Sequence, residues 1–566
     1  MRGCTHQGQP HRSSYWICLP TPPSSIPGLP LSPTKAQDTY KPGGVENHAM
    51  PMASERRGRE TTRRIGFWLG IVAFLALMAF PIDPGNGPTS RMAAVALLMA
   101  IWWVSDCIPL FATALLPLVL FPLLGIMSGR DTAPLYFNNV IVLFIGGFMI
   151  ALTMEKWNLH RRIALSIIQT VGGGPVRMIL GFMLAAAFLS MWISNTATAV
   201  MMVPIGLALV FQLEEEFGKD RARPFSIALM LGIAYSCSVG GLMTLVGTPP
   251  NLSFVRIFEI LFPEAPPLAF GQWMVMALPL GSLLLVIAWF FITHVFYRVP
   301  SELKVDSDVV RRERRELGPI SYEEKVVLAV FVTTALLWVF RVDLNFGLAT
   351  IPGWSRLLPF PDLIDDGTVA ITLASILFFI PARDRSGGHE RIMGRDVIPR
   401  LPWNIVLLFG GGFALAAGFQ TSGLSQLVGE QFHAMSTLPT FLLILLVCLM
   451  ITFLTELTSN TATTQMILPI LANMAVVTGT HPLILMIPAT LSASCAFMMP
   501  VATPPNAIVF GSGRLTVGEM ARIGVVLNVV GALVIALLVY TLGSAVFQID
   551  PSLLPEWATS ATAAQG

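Results

Sequence analysis

Long apolar stretches separated by short charged loops make up most of the chain. Because a helix needs about 20 mostly apolar residues to cross the hydrocarbon core of a bilayer, the pattern predicts a series of membrane-spanning helices. Runs compatible with a single crossing lie at residues 65–80, 140–154, 225–246, 273–296, 326–340, 369–380, 405–419, 483–499 and 525–547. Three runs are longer, at residues 92–126, 178–213 and 441–477.

Each of the longer runs contains an interruption. Pro109 and Pro117 interrupt the first, which predicts two spans or one broken span. The other two carry the tripeptide Ser-Asn-Thr near their middle, at residues 194–196 and 459–461. Either run is long enough to cross once, or to enter the bilayer and turn back as a re-entrant hairpin. Ser and Asn bond nearby backbone and favour helix caps and turns, so a hairpin tip at each tripeptide is chemically natural.

The tripeptides belong to a larger pattern that occurs twice. Each is preceded by Gly-Gly-Phe, at residues 146–148 and 411–413, with equal spacing in the two copies. Each is followed by Thr-Pro-Pro-Asn, at residues 248–251 and 503–506, where the double proline predicts a helix break. A three-part pattern that recurs in the same order indicates an internal repeat. If both tripeptides are hairpin tips, the repeats insert with opposite orientation, as in inverted-repeat carriers.

Composition narrows the class of protein. The 566 residues are 54% hydrophobic and 12% charged, with a mean hydropathy of +0.69, against about 25% charged residues in soluble domains. The net charge of +2 is too small to suggest a nucleic-acid partner. The six cysteines form no CxxC and the histidines no HExxH, so a metal site of that kind has little support. We therefore expect an all-α polytopic protein of the lipid bilayer.

The first fifty or so residues differ from the rest. Pro- and Ser-rich sequence such as residues 20–25 cannot bury a core and predicts disorder, and no charged segment followed by an apolar core indicates a secretory signal. Met50 or Met52 is a candidate for the true start. The basic run at residues 56–64 precedes the first span, which by the positive-inside bias places the N-terminus in the cytoplasm. The charged stretch 298–325 is interpreted as a cytoplasmic linker with a solvated face.

The polar breaks offer two kinds of binding chemistry at membrane depth. Hydroxyl, amide and carbonyl oxygens suit a hard cation such as Na⁺. The N-termini of helices carry a partial positive charge and suit an anion. Neither of the two tripeptides and neither of the two Thr-Pro-Pro-Asn segments contains Arg or Lys. An anionic substrate would then depend on bound cations for neutralisation, and this mutual dependence is a physical reason for coupled binding.

The polar residues also have a structural interpretation. Ser, Thr and Asn in membrane helices often bond a neighbouring helix, and only the paired copies favour binding. Glu456 is the acid beside the second tip, and a proton carrier is one interpretation of it. Because Met191 holds the corresponding place in the first copy, we favour a structural or dipole-capping role. An enzyme would need a nucleophile with its base or a metal cluster, and a channel needs a continuous polar lining; the sequence indicates neither.

With these motifs, the chain resembles the divalent anion–sodium symporter family, which comprises dicarboxylate, citrate and sulfate carriers. Both tripeptides, both Thr-Pro-Pro-Asn segments and residues 114–125 match the family across residues 67–547. The resemblance implies a homodimer in which each protomer has a scaffold domain and a transport domain. It further implies eleven spans, two re-entrant hairpins and an elevator-type displacement.

The resemblance also implies a set of binding residues. A first Na⁺ site would use Ser190, Ser194, Asn195 and Gly247, and a second would use Thr455, Ser459, Asn460 and Ala502. The substrate carboxylates would meet Ser194, Asn195, Thr196, Thr248, Ser459, Asn460, Thr461 and Thr503. Every one of these residue types is kept in this sequence.

The expected organisation follows from the repeats. It consists of residues 1–64 as a disordered extension with a basic end, 65–136 as scaffold spans, 137–297 as the first repeat, 298–325 as the linker, 326–400 as further scaffold spans, 401–548 as the second repeat and 549–566 as a tail. The expected function is Na⁺-coupled import of a small dianion across the inner membrane, namely a C4-dicarboxylate such as succinate, malate or fumarate. Sulfate, citrate and Na⁺-independent dicarboxylate exchange are the alternatives.

Overall fold

The computed structural model describes residues 51–300, 302–303, 308–345, 350–383, 390–432, 437–551 and 553–563. The chain divides into the units Met1–Arg56 and Arg57–Gly566, and all described elements except the start of the first helix belong to the second unit. The disorder expected for residues 1–50 lies outside the described residues. The sequence predicts that residues 51–64 continue this extension, but they are helical and form the start of the first helix.

Helices account for nearly all described elements of the first half. They are α1 (Pro51–Ala79), α2 (Gly87–Ser105), α3 (Leu110–Thr113), α4 (Leu116–Leu123), α5 (Gly129–Thr132), α6 (Asn139–Lys156), α7 (Leu159–Val171), α8 (Pro175–Ser190), α9 (Asn195–Phe217), α10 (Lys219–Leu242), α11 (Pro249–Leu261) and α12 (Phe270–Phe290). A 3-10 turn (Ala133–Tyr136) precedes α6, and a π-helical segment (Phe291–Phe296) continues α12.

The second half contains α13 (Asp308–Glu316), α14 (Tyr322–Val339), α15 (Asp366–Ile376), α16 (Val397–Arg400), α17 (Trp403–Thr421), α18 (Leu424–Glu430), α19 (Thr440–Thr455), α20 (Asn460–Val477), α21 (Pro482–Ala493), α22 (Pro504–Gly511), α23 (Val517–Leu538), α24 (Ser544–Phe547) and α25 (Glu556–Ala563). A π-helical segment (Val539–Gly543) joins α23 to α24. Two 3-10 turns (Trp354–Leu357 and Pro361–Leu363) precede α15. The short strands β1 (Leu344–Asn345) and β2 (Thr350–Ile351) pair antiparallel, with Leu344 opposite Ile351.

Eight helices in the described part of the chain are long and apolar enough to cross a membrane. They are Glu60–Ala79, Gly87–Ser105, Gly129–Lys156, Asn195–Phe217, Lys219–Leu242, Phe270–Phe296, Trp403–Thr421 and Val517–Phe547. Shorter apolar helices lie at Leu110–Leu123, Pro175–Ser190, Asp366–Ile376, Thr440–Thr455 and Pro482–Ala493. The expected all-α polytopic class is therefore confirmed. The count of eleven spans and the two re-entrant hairpins stay predictions.

Most of the interruptions predicted in the apolar runs are breaks between helices. Residues 92–126 divide after α2, where Asp106 adopts a left-handed conformation with φ of 47° and Pro109 caps the next helix. Pro117 does not end a helix, because it lies in the first turn of α4, where its missing N–H costs nothing. The chain also leaves helical geometry between α8 and α9 and between α19 and α20, at the two tripeptides.

The two Gly-Gly-Phe motifs make reciprocal contacts between the halves. A Cβ placed on Gly146 of α6 would lie 2.7 Å from the Cβ of Ala370 in α15. A Cβ placed on Gly411 of α17 would lie 2.5 Å from the Cβ and carbonyl oxygen of Ala114 beside α3. Each glycine thus permits a close helix crossing that any larger residue would open. A helix of the first half packs on the second half, and the equivalent helix of the second half packs on the first.

Ion pairs join several of the charged loops to one another. Lys156 pairs with Glu390 at 2.7 Å, and Arg400 with Glu155 at 3.2 Å, which joins the end of α6 to the loop before α17. Arg161 pairs with Glu313 and Arg162 with Glu324, which joins α7 to the 298–325 stretch. Glu214 pairs with Arg514 and Arg223 with Glu519, which joins the α9–α10 turn to the α22–α23 turn. The stretch 298–325 therefore contains a helix docked on α7 as well as solvated charges.

Candidate functional site

The first tripeptide caps a helix and forms a hydrogen-bonded corner, by which we mean the place where Ser190, Ser194 and Asn195 meet. Ser194 is the N-cap of α9, and its hydroxyl accepts a bond of 3.2 Å from the backbone N–H of Ala197. Asn195 is the first residue of α9, and its Oδ1 accepts a bond from the hydroxyl of Ser190, the last residue of α8. Thr196 is exposed. The same bonds that satisfy the helix end therefore gather hydroxyl and amide oxygens around one point.

Two glycines of the first repeat crowd the same corner. A Cβ added to Gly241 would lie 2.8 Å from Asn195 Oδ1 and 3.1 Å from the carbonyl oxygen of Gly247. A Cβ added to Gly247 would lie 2.6 Å from the carbonyl oxygen of Gly241. A side chain at Gly247 would therefore displace backbone, and one at Gly241 would press on the Asn195 amide. Backbone carbonyls and a side-chain amide oxygen in one place are ligands that suit Na⁺, and Ser190, Asn195 and Gly247 of the expected first set are brought together.

The second tripeptide repeats the arrangement. Ser459 is the N-cap of α20, and its hydroxyl accepts from the N–H of Ala462 at 3.5 Å. The hydroxyl of Thr455 lies 2.7 Å from Asn460 Oδ1 and 2.9 Å from the carbonyl oxygen of Ala493. Thr455 thus takes the place of Ser190, and Thr461 and Thr455 are both buried. Ala502 is 9% exposed and lies just before the N-cap of α22.

Each Thr-Pro-Pro-Asn segment starts a helix after unwound chain. Thr248 is the extended N-cap of α11 and Thr503 is the extended N-cap of α22, each followed by the two prolines in the first turn. Thr503 Oγ1 accepts from the N–H of Asn506 at 3.3 Å. Residues 243–248 and 494–503 lie outside helices, so the helical path is interrupted at matching places in the two repeats.

Helix N-termini meet in pairs across the repeats. Helix α9 packs against α22, and α20 packs against α11. Gln465, in the second turn of α20, donates to Ser253 in the second turn of α11 at 3.3 Å, so the two helices start at the same level. Arg514 and Glu214 join the far ends of α22 and α9. These paired positive ends suit an anion, and no Arg or Lys lies in the four motifs.

Glu456 anchors unwound chain. Its carboxylate accepts from the N–H of Met498 at 2.8 Å, from the N–H of Met499 at 2.9 Å and from Asn528 Nδ2 at 2.7 Å. The structural interpretation of this acid is thereby supported, but not dipole capping. Glu456 follows the C-terminal end of α19, where the dipole is negative and a carboxylate gains nothing from it.

The sequence does not indicate four of the contributing residues. Gly241 and Thr244 lie at the first break, where Thr244 donates to the carbonyl of Met191 and accepts from Gly247 N at 3.1 Å. Asn528 lies far along the chain and offers no signal. Ser253 follows a motif but does not belong to it. By contrast, Asn251 and Asn506 stand inside a repeated motif, and the repetition alone could have singled them out.

This chain is similar to known proteins in sequence and, to others, in fold. A family profile described as "Sodium:sulfate symporter transmembrane region" matches residues 62–549. A protein named sodium-dependent dicarboxylate transporter SdcS from Staphylococcus saprophyticus is 40% identical over 502 residues, which cover 88% of this chain and 94% of the relative. The protein of the same name from Staphylococcus aureus strain MRSA252 is 39% identical over 505 residues, with the same coverage.

Two solved structures are similar in fold. One is the MtrF protein of Neisseria gonorrhoeae, described within a class of antimetabolite efflux pumps, with a TM-score of 0.51, 14% identity, and coverage of 85% of this chain and 98% of that one. The other is the YdaH transporter of Alcanivorax borkumensis, with a TM-score of 0.50, 14% identity, and coverage of 81% and 99%. At this identity the likeness concerns the fold alone.

The membrane-length helices of the described residues agree with a multi-pass membrane transporter, and the relatives of this chain are named as transporters, not as enzymes. Because the family profile spans most of its length and the relatives exceed one third identity, the chain belongs to the sodium:sulfate symporter family. The resemblance drawn from the motifs is thus confirmed. Membership in a family of sodium symporters also supports Na⁺ as the coupling ion.

Proposed function

We propose that this chain is a secondary active transporter that imports C4-dicarboxylates such as succinate, malate and fumarate together with Na⁺. The observation that carries the proposal is the repeated corner of oxygen atoms at Asn195 and Asn460, beside paired helix N-termini. Each repeat offers oxygens for a cation and backbone N–H groups for an anion. The relatives named as sodium-dependent dicarboxylate transporters support the choice of ion and substrate class.

The role assignments follow from this arrangement. In the first repeat Ser190, Ser194, Asn195 and Gly247 would hold one Na⁺, and in the second Thr455, Ser459, Asn460 and Ala502 would hold another. Ser194, Asn195, Thr196, Thr248, Ser459, Asn460, Thr461 and Thr503 would meet the substrate carboxylates. Bound cations would supply the positive charge that the motifs lack, so the anion binds weakly without Na⁺ and the cations bind weakly without the anion.

The proposal includes an orientation and a mode of movement. Arg-rich loops are connected by ion pairs, and the positive-inside bias assigns these loops to the cytoplasm. The basic residues of these pairs are Lys156, Arg161, Arg162, Arg223, Arg400 and Arg514. A cytoplasmic N-terminus at the inner membrane is consistent with that assignment. A homodimer whose transport domains move as elevators on a scaffold is the family arrangement that we carry over.

Sulfate is the second candidate substrate, because the matching family profile is described by that anion. Hydroxyls and helix N-termini serve either oxyanion. Radiolabelled succinate uptake into proteoliposomes separates the candidates, with an inward Na⁺ gradient compared against choline and with sulfate and citrate as competitors. Uptake that requires Na⁺ and resists both competitors supports the proposal.

Other outcomes would overturn it. Uptake that ignores the Na⁺ gradient and requires internal succinate identifies an exchanger. Labelled sulfate or citrate entering with Na⁺, where succinate does not, reassigns the substrate. Liposomes without protein serve as the control for leakage.

A further inference from the structure

Asn251 and Asn506, the final residues of the two Thr-Pro-Pro-Asn motifs, occupy equivalent places, and both are fully buried. Asn251 Nδ2 lies 2.7 Å from the carbonyl oxygen of Thr244 and 3.2 Å from that of Gly241. Asn506 Nδ2 lies 3.0 Å from the carbonyl oxygen of Ala496 and 3.1 Å from that of Met499. Each amide therefore ties the unwound segment back to the helix that follows it.

The segments tied in this way carry backbone oxygens of the proposed cation sites. Gly247 lies in the first, and its neighbour across the turn is Gly241, whose carbonyl Asn251 holds. Ala502 lies in the second. Glycine has few conformational restraints of its own, so the shape of the turn at Gly247 depends on bonds to its neighbours. Asn251 bonds the carbonyl of Gly241 at the end of α10 and that of Thr244 in the unwound segment that leads to Gly247. Asn251 supplies the bonds that keep this turn closed beside Asn195.

The unpaired oxygen of each amide indicates that these asparagines do more than fill space in the protein interior. Asn251 Oδ1 and Asn506 Oδ1 are buried and have no hydrogen-bond partner in the described part of the chain. A buried, unsatisfied acceptor costs free energy that an apolar residue of similar volume would avoid. The contribution of each amide therefore comes from its N–H groups, which bond the backbone carbonyls.

We infer that Asn251 and Asn506 are positioning residues for the two cation sites, which hold the unwound segments in the shape that presents their carbonyls to Na⁺. The inference rests on the proposed cation sites of the previous subsection. Neither asparagine belongs to those sites; each acts through the backbone it holds. Partners that hold metal ligands from behind typically change metal affinity by about 10- to 100-fold when removed.

The two repeats differ in what else holds the segment. In the second repeat the carboxylate of Glu456 also accepts from the N–H groups of Met498 and Met499. In the first repeat the additional clamp is the Thr244 hydroxyl, which bridges Met191 O and Gly247 N. The second segment therefore retains a charged clamp when its asparagine is removed, and the first retains a neutral one. Loss of Asn251 should weaken cation binding more than loss of Asn506.

The test measures thermal stabilisation of the purified full-length protein by NaCl, with choline chloride holding the ionic strength constant and no anionic substrate present. Asn251→Ala should raise the half-saturating Na⁺ concentration about tenfold or more, and Asn506→Ala should raise it less. Asn473→Ala is the matched control, because Asn473 Nδ2 bonds a backbone carbonyl within α20, at 2.9 Å from Pro469 O, away from either break. It should leave the half-saturating concentration unchanged.

The outcomes separate this inference from the proposed function. A wild-type protein that Na⁺ stabilises neither alone nor in the presence of succinate would contradict the cation sites themselves. A normal wild-type response with unchanged half-saturation in folded Asn251→Ala protein would overturn the positioning role alone. A lower melting temperature in choline with the same Na⁺ midpoint would likewise reduce Asn251 to a structural residue. If the alanine variants do not fold, Asn251→Ser and Asn506→Ser, whose short hydroxyls cannot span the turn, replace them under the same criteria.

Discussion

Asn528 Nδ2 donates a hydrogen bond of 2.7 Å to the carboxylate of Glu456, 72 positions earlier in the chain. The same asparagine accepts from the N–H of Phe497 at 3.3 Å through its Oδ1. With the bonds from Met498 and Met499, a closed ring joins α19, α23 and the unwound segment before α22. The second break is thus braced from two helices at once.

Glu456→Met tests that brace, since methionine is the residue at the corresponding place in the first repeat. The change should leave the N–H groups of Met498 and Met499 without a partner and lower the free energy of unfolding by about 1–3 kcal/mol for each. Thermal unfolding in detergent measures the loss. Met191→Leu is the control and should cost less than about 1.5 kcal/mol, because it nearly conserves volume at a buried site. Equal melting temperatures for the two variants would contradict the bracing role.

Asn195→Ala and Asn460→Ala should each abolish Na⁺-driven uptake in proteoliposomes, because each removes the amide oxygen that Ser190 or Thr455 bonds. Thr170→Ala is the control, since that exposed hydroxyl donates to Ser166 O in the preceding turn of α7. Size-exclusion profiles should match wild type for all three. Normal uptake by either asparagine variant would remove that residue from the site.

Thr503→Ala should raise the substrate KM more than the Na⁺ concentration needed for half-maximal uptake. Its hydroxyl caps α22 by accepting from Asn506 N at the helix end that we assign to the anion. Uptake as a function of succinate, at saturating Na⁺, gives the first quantity, and uptake as a function of Na⁺ gives the second. A larger effect on Na⁺ would reverse the assignment.

Gly240→Ala should destabilise the protein by about 1–3 kcal/mol or more, because its Cβ would lie 2.2 Å from the carbonyl oxygen of Ala187 and force α8 away from α10. Gly518→Ala in α23 is the opposite case, with open space around the new methyl group. Helix propensity should make it neutral or stabilising by up to about 1 kcal/mol. Melting temperatures of the pair measure the contrast, and similar values would refute the close crossing of α8 and α10.

Stability should also depend on the protonation of His481, the N-cap of α21. Burial lowers the pKa of its imidazole to about 4, against an ordinary value of 6.5. Because the unfolded chain binds this proton at higher pH, stability present above about pH 6.5 is lost progressively as the pH falls towards 4. His481→Asn keeps a side chain suited to an N-cap and removes the titration. Its melting temperature should match wild type at pH 7.5 and exceed it at pH 5; parallel curves would contradict the assignment.

Local chemistry made the breaks of this fold predictable. Ser194 and Ser459 cap helices and the double prolines start them, so local residue types indicate where these helices begin. The length of the apolar runs likewise predicted the helical membrane class. The sequence overestimated the extension before the first span, because the helix of residues 51–64 is polar and has no apolar run to mark it.

Contacts between distant segments were not predictable in the same way. Nothing near Glu456 indicates that it bonds Met498, and nothing near Gly146 indicates Ala370. These relationships depend on how helices pack after the whole chain has assembled. The repeats point to such partners only in pairs, which is why residues without a counterpart, such as Asn528, gave no signal.

The reciprocal fit of Gly146 on Ala370 and of Gly411 on Ala114 bears on how the protein is made. When the ribosome has completed the first half, Gly146 and Ala114 have been inserted, yet the partner of each is still unsynthesised. The early half must therefore wait in the bilayer with both helix faces uncovered. Neither half expressed alone should reach its native packing, whereas the two halves made together in one cell should complete each other.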